Sequence, residues 1–329
     1  MSDQAAAKDL LKFALKNQAE DLSQKAKFEI QNRNENEKEF LKEAIGNYMK
    51  SHKSPTDEMI EVVQVIKNLI AEKKVVENQA EVINLLQILG EQAENIDVAC
   101  DLHKVKGFDD VVLKLMLDSN IADEVRGWCA NVVGCAAQNN PYCQNKLFMI
   151  DVVQSLLSMT SHSQMEITKV KSVFAISALI RQNDTNLKTF INDHSNIKTL
   201  IHSCLHYQGK QVYLSKFHKK VLFLLRSLIL INTTQSNTLL SQLAGSEFIK
   251  YLCFVISSSC DDVDFIECST SLLLTIASRN KEVVKSIVTS SWLDTKRLNE
   301  MKVHFAKEDW TEISKNFQFI YHLVTKYTE

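Results

Sequence analysis

The stretch Ile176-Ser-Ala-Leu-Ile-Arg-Gln-Asn183 decides the fold, because its dense apolar run closed by an asparagine recurs four more times along the chain. The corresponding residues are Asn95, Asn139, Asn232 and Asn280, so successive asparagines are 44, 44, 49 and 48 residues apart. Armadillo and HEAT repeats have a similar period of roughly 40 to 47 residues. Asparagine tolerates the left-handed conformation, and we therefore expect it to close the C-terminus of each buried helix.

A second apolar helix follows each asparagine after a short turn, as in Val152-Val-Gln-Ser-Leu-Leu157 and again over residues 197–205. No single helix pair of this kind can bury both of its apolar faces, but stacked pairs share one continuous core. We therefore predict an all-α fold, a right-handed armadillo/HEAT-like α-solenoid whose curved groove is lined by one set of helices. Such grooves usually bind another macromolecule.

The composition supports this prediction. The chain has 329 residues but only 7 Gly and 2 Pro, where average usage gives roughly 23 and 16. Sandwiches, barrels and dinucleotide-binding folds need these residues at their turns and phosphate loops, so the low counts argue against all of them.

The chain divides into four predicted regions. Residues 1–36 form a flexible N-terminal segment, because residues 23–36 are too polar to bury a face. Residues 37–74 form an N-terminal helical cap, residues 75–290 the armadillo-like repeats, and residues 291–329 C-terminal capping helices. Within the first region, Leu10, Leu11 and Phe13 form one short amphipathic stripe.

Charge and hydropathy restrict the partners. With 38 Lys+Arg against 40 Asp+Glu, the net charge is −2, which argues against general nucleic-acid binding. We find no signal peptide, no apolar run long enough for a membrane span and no retention tail, and therefore expect a cytoplasmic protein with no membrane partner.

No residue pattern indicates a catalytic, metal or cofactor site. The 8 cysteines include no C-x-x-C, so we interpret them as small buried apolar residues in a reducing compartment. His202 and His206 have zinc-compatible spacing around Cys204, but a third ligand is missing and helix-surface histidines explain the pair. Cys143 and His162 could form a nucleophilic catalytic site only if the fold brought these two distant residues together. We expect no metal, no cofactor and no enzyme activity.

Basic residues concentrate between residues 161 and 240, where 10 Lys and Arg face 3 acidic residues. For the scattered members a solvated face is an equal alternative. However, Lys169, Lys171, Lys219 and Lys220 begin the core-building helix in two successive repeats. We expect these four side chains to form a ladder in the groove or on its rim and to steer an acidic partner there.

The turn Asn95-Ile-Asp97-Val-Ala99 is a second candidate contact. Turn formation alone could account for its Asn and Asp. The alternative is a contact edge, where the small Ala99 lets a partner approach closely.

Several stretches resemble one family, the armadillo-type nucleotide exchange factors of Hsp70 chaperones, which comprise the Hsp70-binding protein and Fes-type group. Lys169-Val-Lys-Ser-Val-Phe-Ala-Ile-Ser-Ala-Leu-Ile-Arg181 resembles the family's most recognisable helix. Glu94 to Ala99 is similar to its Glu-Asn-hydrophobic-Asp-Asn-Ala turn, and Arg126 to Asn140 to its Arg-x-x-Ala helix ending in Gln-Asn. Val98 departs from the pattern, standing where members often have Asn.

The resemblance implies a cytosolic, non-enzymatic partner of Hsp70. The concave face would embrace lobe II of the Hsp70 nucleotide-binding domain and promote ADP release. The N-terminal segment, through Leu10, Leu11 and Phe13, would engage the substrate-binding domain, although a helix docked on the solenoid is an alternative. The predicted partner-binding residues are Asn95, Asp97, Ala99, Arg126, Asn139, Lys169, Lys171, Arg181, Lys219 and Lys220. Periodicity alone supports a generic armadillo adaptor for another acidic protein equally well.

Overall fold

The computed structural model describes residues 54–205, 216–230, 235–257, 262–290, 292–293, 295–307 and 310–326, together with Glu39 and Glu43. Within these ranges every regular element is a helix, which confirms the all-α prediction. The chain forms two compact units, Met1–Glu61 and Val62–Glu329. The packing reported below lies within the second unit. Leu10, Leu11 and Phe13 lie outside the described residues.

The helices follow one another with short connections. They are α1 (Pro55–Ala71), α2 (Gln79–Gln92), α3 (Ile96–Lys104), a π-helical turn (Phe108–Leu113) that continues into α4 (Lys114–Leu117), α5 (Asp123–Ala137), α6 (Pro141–Leu147), α7 (Ile150–His162), α8 (Glu166–Ile180), α9 (Asp184–Asn192), α10 (His194–Leu205), α11 (Lys216–Leu230), α12 (Gln235–Leu243), α13 (Ser246–Ser257), α14 (Val263–Arg279), α15 (Lys281–Thr289), α16 (Thr295–Lys307) and α17 (Thr311–Lys326).

Every third helix packs on its counterpart in the next repeat. The helices α2, α5, α8, α11, α14 and α17 contact one another in that order, and we call this stack the long-helix row. Shorter helices stack beside it, α4 on α7, α7 on α10 and α10 on α13, with α3 on α6 and α9 on α12. Contact only between neighbouring repeats is the packing of a solenoid.

Most of the described asparagines of the repeat pattern cap the start of the following helix. Asn95 caps α3, Asn183 caps α9 and Asn280 caps α15, each accepting hydrogen bonds from backbone N–H groups of the following turn. In the repeat between the first two, Asn139 has a φ of +54° while the neighbouring Asn140 provides the cap to Cys143 N at 3.2 Å. Among the described asparagines of the repeat pattern, the expected left-handed helix end is confirmed at Asn139. The side chains of Asn95, Asn183 and Asn280 instead satisfy orphan N–H groups of the next helix. Asn232 lies outside the described residues.

Small residues bring α5 and α8 close together. A Cβ added to Gly127 would lie 2.6 Å from Thr168 Oγ1 and 3.0 Å from its Cα, and one added to Gly134 would lie 2.4 Å from the Phe174 ring. Since real Cβ atoms do not approach so closely, both glycines are needed for this helix contact. The interface it creates supports the functional cleft described below.

The described cysteines behave as predicted. All seven are free thiols, and each except Cys100 is buried. Burial raises the pKa of the Cys129 and Cys204 thiols far above their usual range. They therefore pack as neutral apolar groups, which confirms the interpretation from sequence.

Two further observations concern metals and membranes. No group of three or more His, Cys, Asp or Glu with metal-site geometry occurs among the described residues, and His206 lies outside them. Within the same ranges, no single helix has the length and apolar composition of a membrane span, and the pair Asn237–Leu243 and Glu247–Ser257 reaches them only together, across a bend of 74°.

Candidate partner-binding surface

A cleft of about 400 Å³ opens on the long-helix row where α5, α8 and α11 meet. Its lining includes Asn139 after α5, Phe174 on α8, Arg181 at the end of α8, and Lys220 and Phe223 on α11. Three residues predicted from sequence, Asn139, Arg181 and Lys220, are thus brought together although they come from three successive repeats. We call this site the basic cleft.

Turn geometry fixes the mouth of the basic cleft. Both turns have the same construction, a residue with positive φ, Asn139 at +54° and Gln182 at +59°, followed by a capping asparagine. Gln144 Nε2 then donates to the carbonyl oxygens of Ala178 at 2.8 Å and Arg181 at 2.9 Å. Because Gln144 is buried, these bonds hold the end of α8 firmly in place, and with it the Arg181 backbone.

The basic cleft exposes an aromatic side chain beside two positive charges. Phe223 is 48% exposed, and the Arg181 guanidinium lies 5.9 Å from the centre of its ring. Arg181 and Lys220 are exposed, and neither forms an ion pair with any acid in the described part of the chain. An exposed aromatic flanked by uncompensated cations is a surface suited to an acidic protein partner.

Two other cations of α11, Lys219 and Arg226, already form ion pairs within the chain. Lys219 Nζ lies 2.6 Å from Asp262 Oδ2, and Arg226 Nη1 lies 3.2 Å from Glu267 Oε1. Both pairs join α11 to α14 or to the residue that caps it. Lys219 therefore holds neighbouring repeats together, and the expectation that it faces the partner as a free member of a ladder is wrong.

Lys169 and Lys171, predicted to lie in the groove or on its rim, are buried instead, with only 5% and 8% of their surface exposed. The ammonium of Lys169 donates to the carbonyl of Thr160 at 3.0 Å. Lys171 Nζ lies 3.3 Å from the centre of the Trp128 ring and donates to Asn131 at 3.1 Å. The long alkyl stems favour this arrangement, because they cover apolar surface while the charged ends find polar or aromatic partners.

Burial also changes the acid–base behaviour of these two lysines. It lowers the pKa of Lys169 and lowers that of Lys171 to about 8, because the charged form loses hydration. The predicted ladder of four lysines is therefore corrected to Lys220 alone.

Arg126 also has a role inside the fold. Its Nε donates to the carbonyl oxygen of Met116 at 2.9 Å, at the end of α4, and its guanidinium is largely covered. This bond satisfies one of the carbonyls that a helix end leaves without an intrahelical partner. Arg126 thus fixes the start of α5 rather than presenting a free charge.

The turn before α3 is partly exposed. Asn95 and Asp97 are on the surface, with Asn95 Oδ1 accepting from Asp97 N at 2.9 Å. Ala99, by contrast, is completely buried. The expectation that Ala99 forms a contact edge is wrong, since a partner cannot reach it while α3 stays packed.

The predicted partner-binding residues do not include several that line the basic cleft, among them Gln144, Phe174 and Phe223. Phe174 and Phe223 were hidden in apolar runs that periodicity assigns to the core. A signal was available for Phe223, because it follows Lys219 and Lys220 by one helical turn and therefore lies on the same side of α11. No comparable signal identifies Gln144, whose role depends on contacts with α8.

Comparisons with known proteins agree with this architecture. Residues 98–247 match the family model of the SIL1/FES1/HPBP1 C-terminal domain, which confirms the predicted resemblance to the Hsp70-binding protein and Fes-type group. The matched range contains the whole basic cleft. Two solved structures support the fold alone, both with a TM-score of 0.56 and 16% identity. One is a designed armadillo repeat protein in complex with the peptide (KR)4, and the match covers 83% of this chain and 100% of the designed chain. The other is an engineered protein, and the match covers 74% of this chain and 92% of the engineered chain.

Two curated relatives carry names that describe a function. The chain is 23% identical over 211 residues to Hsp70-binding protein 1 of Mus musculus, covering 63% of this chain and 57% of that protein. It is 28% identical over 133 residues to the Hsp70 nucleotide exchange factor FES1 of Debaryomyces hansenii, covering 40% and 44%. The aligned part thus spans about half the length of these relatives.

Proposed function

We propose that this chain is a cytosolic, non-enzymatic nucleotide exchange factor for Hsp70. The family match over residues 98–247 and the names of the two relatives support this class of function. The observation that carries the proposal is the basic cleft, which lies in the matched range and presents Arg181 and Lys220 without acidic partners in the described ranges, beside the exposed ring of Phe223.

The proposed partner surface is an acidic, partly apolar patch on lobe II of the Hsp70 nucleotide-binding domain. An acidic side chain would pair with Arg181 or Lys220, and an apolar neighbour would cover Phe223. Desolvation of the ring and guanidinium together makes such a site a binding hot spot. Asn139, which also lines the basic cleft, would hydrogen-bond the partner's backbone.

In this proposal the chain acts through differential affinity and takes no part in nucleotide chemistry. It binds the open, nucleotide-poor form of Hsp70 more tightly than the closed, ADP-bound form, so its binding shifts the population toward the open form. By linkage, this protein weakens the binding of ADP to Hsp70 by a certain factor, and ADP must weaken the binding of this protein to Hsp70 by the same factor. ADP then leaves faster from the complex than from free Hsp70.

A second part of the proposal concerns the N-terminal region. Leu10, Leu11 and Phe13 would engage the substrate-binding domain of Hsp70 and help to release client polypeptide. Removing residues 1–36 should then leave binding to the isolated nucleotide-binding domain unchanged and slow client release.

The test is a titration of the Hsp70 nucleotide-binding domain, with and without ADP, by calorimetry. We expect tighter binding without ADP, and a loss of affinity of about tenfold or more for Arg181→Glu and for Lys220→Glu, equivalent to at least about 1.4 kcal/mol each. Lys188→Glu on α9 is the matched control, because Lys188 is also exposed but lies outside the basic cleft. If Lys188→Glu lost as much Hsp70 affinity as the cleft variants, the loss would come from the change in net charge and not from the basic cleft. A folded protein that binds no Hsp70 would overturn the proposal and favour an armadillo adaptor for another acidic protein.

A further inference from the structure

Two cysteines of successive repeats share one hydrogen-bond donor. Cys100 lies on α3 and Cys143 on α6, and these helices pack against each other. Asn140 Nδ2 is 3.8 Å from the Cys100 sulfur and 3.2 Å from the Cys143 sulfur. The amide thus bridges two thiols that are 43 residues apart in sequence.

The two thiols differ in access to solvent. Cys143 is fully buried, whereas Cys100 is partly exposed. Burial raises the pKa of Cys143 to about 12, and the adjacent Cys100 thiol contributes to the increase as its hydrogen-bond partner. An oxidant in solvent therefore reaches Cys100 first, with Cys143 placed to react second.

We propose that Cys100 and Cys143 are a redox modification site, which hydrogen peroxide converts to a disulfide that ties α3 to α6. The Cys100 thiolate attacks peroxide, the O–O bond breaks, and Cys100 becomes a sulfenic acid with release of hydroxide. The Cys143 sulfur then attacks the Cys100 sulfur, and the S–O bond breaks with release of a second hydroxide. Both hydroxides take up the thiol protons, so one peroxide is reduced to two waters while two thiols are oxidised.

Disulfide formation has a direct route to the basic cleft, an effect that rests on the proposed function. The two sulfurs must close to about 2 Å, and the Asn140 amide then loses the two thiols with which it interacts. Asn140 also caps α6 through Cys143 N, and the next residue, Gln144, holds the Arg181 carbonyl. Movement of Cys143 toward α3 therefore displaces Asn140 and Gln144, and with them the backbone of Arg181. Because Arg181 belongs to the basic cleft, oxidation weakens partner binding.

The experiment treats the full chain with hydrogen peroxide, blocks the remaining thiols by alkylation and maps disulfides by peptide mass spectrometry. We expect a Cys100–Cys143 disulfide in the wild type and none in Cys100→Ser. In Cys143→Ala, oxidation should stop at a Cys100 sulfenic acid that dimedone traps. Cys253→Ala is the matched control, because Cys253 is another buried thiol whose burial raises its pKa to about 12. It should keep the disulfide.

The second readout is Hsp70 binding before and after peroxide. We expect oxidation to weaken wild-type binding roughly fivefold or more, with full recovery on reduction and no effect in Cys100→Ser. Absence of the Cys100–Cys143 disulfide from the mass map overturns the site, whatever the binding result. A disulfide without loss of affinity overturns its regulatory effect. If the reduced protein binds no Hsp70, the proposed function fails while the mass map still decides the modification site.

Discussion

The close approach of α5 and α8 makes Gly127→Ala a sharp test of the fold. The new methyl group would lie 2.6 Å from Thr168 Oγ1, 3.0 Å from Thr168 Cα and 3.1 Å from its Cβ. Rotation of the hydroxyl relieves only the first of these contacts, because the second is to the backbone. The two helices must therefore separate by several tenths of an ångström or the Thr168 Oγ1 bond to the Asp123 carbonyl, at 3.0 Å, must break.

The expected loss of stability combines three contributions. Overpacking a close interface costs about 1 to 3 kcal/mol, and loss of the Thr168 hydrogen bond adds about 1 kcal/mol. Replacing a helical glycine by alanine offsets about 1 kcal/mol of this through helix propensity. The net expectation for Gly127→Ala is a destabilisation of roughly 1 to 3 kcal/mol.

Urea unfolding followed by circular dichroism measures the change, with Gly245→Ala as the matched control. A Cβ at Gly245 meets only the Gln242 carbonyl oxygen, at 3.9 Å. Its alanine variant should be as stable as the wild type or more stable by about 0.4 to 1 kcal/mol, because the unfolded chain loses conformational freedom. A Gly127→Ala variant that gained stability to the same degree would refute the close packing of α5 on α8.

Three further outcomes follow from the structure. Because the pKa of Lys171 is lowered to about 8 in the folded chain, the unfolded chain binds more protons between about pH 8 and 10.5, so stability should rise with pH there. Lys171→Met should flatten that rise in urea titrations, and an unchanged slope would contradict the buried site against Trp128. Asn183→Ala removes the cap to Asn186 N at 3.1 Å and the Nδ2 bond to Asn145 Oδ1 at 2.9 Å, and it should lower the free energy of unfolding by about 1 kcal/mol or more. Asn183→Ser keeps a capping oxygen and should lower the free energy of unfolding less. In Gly134→Ala the new Cβ would lie 2.4 Å from the Phe174 ring. At equal loss of stability this variant should weaken Hsp70 binding more than Gly127→Ala does, because Phe174 lines the basic cleft and Thr168, the residue next to Gly127, does not. Calorimetric titration of the Hsp70 nucleotide-binding domain measures the difference.

The repeat architecture could be predicted from sequence, and the orientation of individual cations could not. The apolar runs ending near Asn95, Asn183 and Asn280 belong to a pattern that recurs every 44 to 49 residues, so the helix stack follows from the need to bury them. Whether a given asparagine ends one helix or starts the next depends on a single residue of register, and at Asn140 the cap moved by one position. Periodicity does not resolve such a shift.

The basic cleft shows the same limit at the level of side chains. Arg181 and Lys220 are exposed, whereas Lys169 and Lys171, two positions apart on α8, are both buried. Their burial depends on Trp128 and the Thr160 carbonyl, which belong to neighbouring helices. Contacts between neighbouring repeats determine whether a lysine side chain is exposed to a partner or buried. Such contacts cannot be identified from a single sequence.

The rate of ADP release from a cytosolic Hsp70, followed by stopped flow with fluorescent ADP, decides whether this chain is an exchange factor. We expect release to accelerate with increasing concentration of this protein and then to saturate, and we expect Arg181→Glu and Lys220→Glu to need higher concentrations to reach the same rate. An unchanged release rate across several cytosolic Hsp70s, with the protein folded, would show that the chain is not an exchange factor for them.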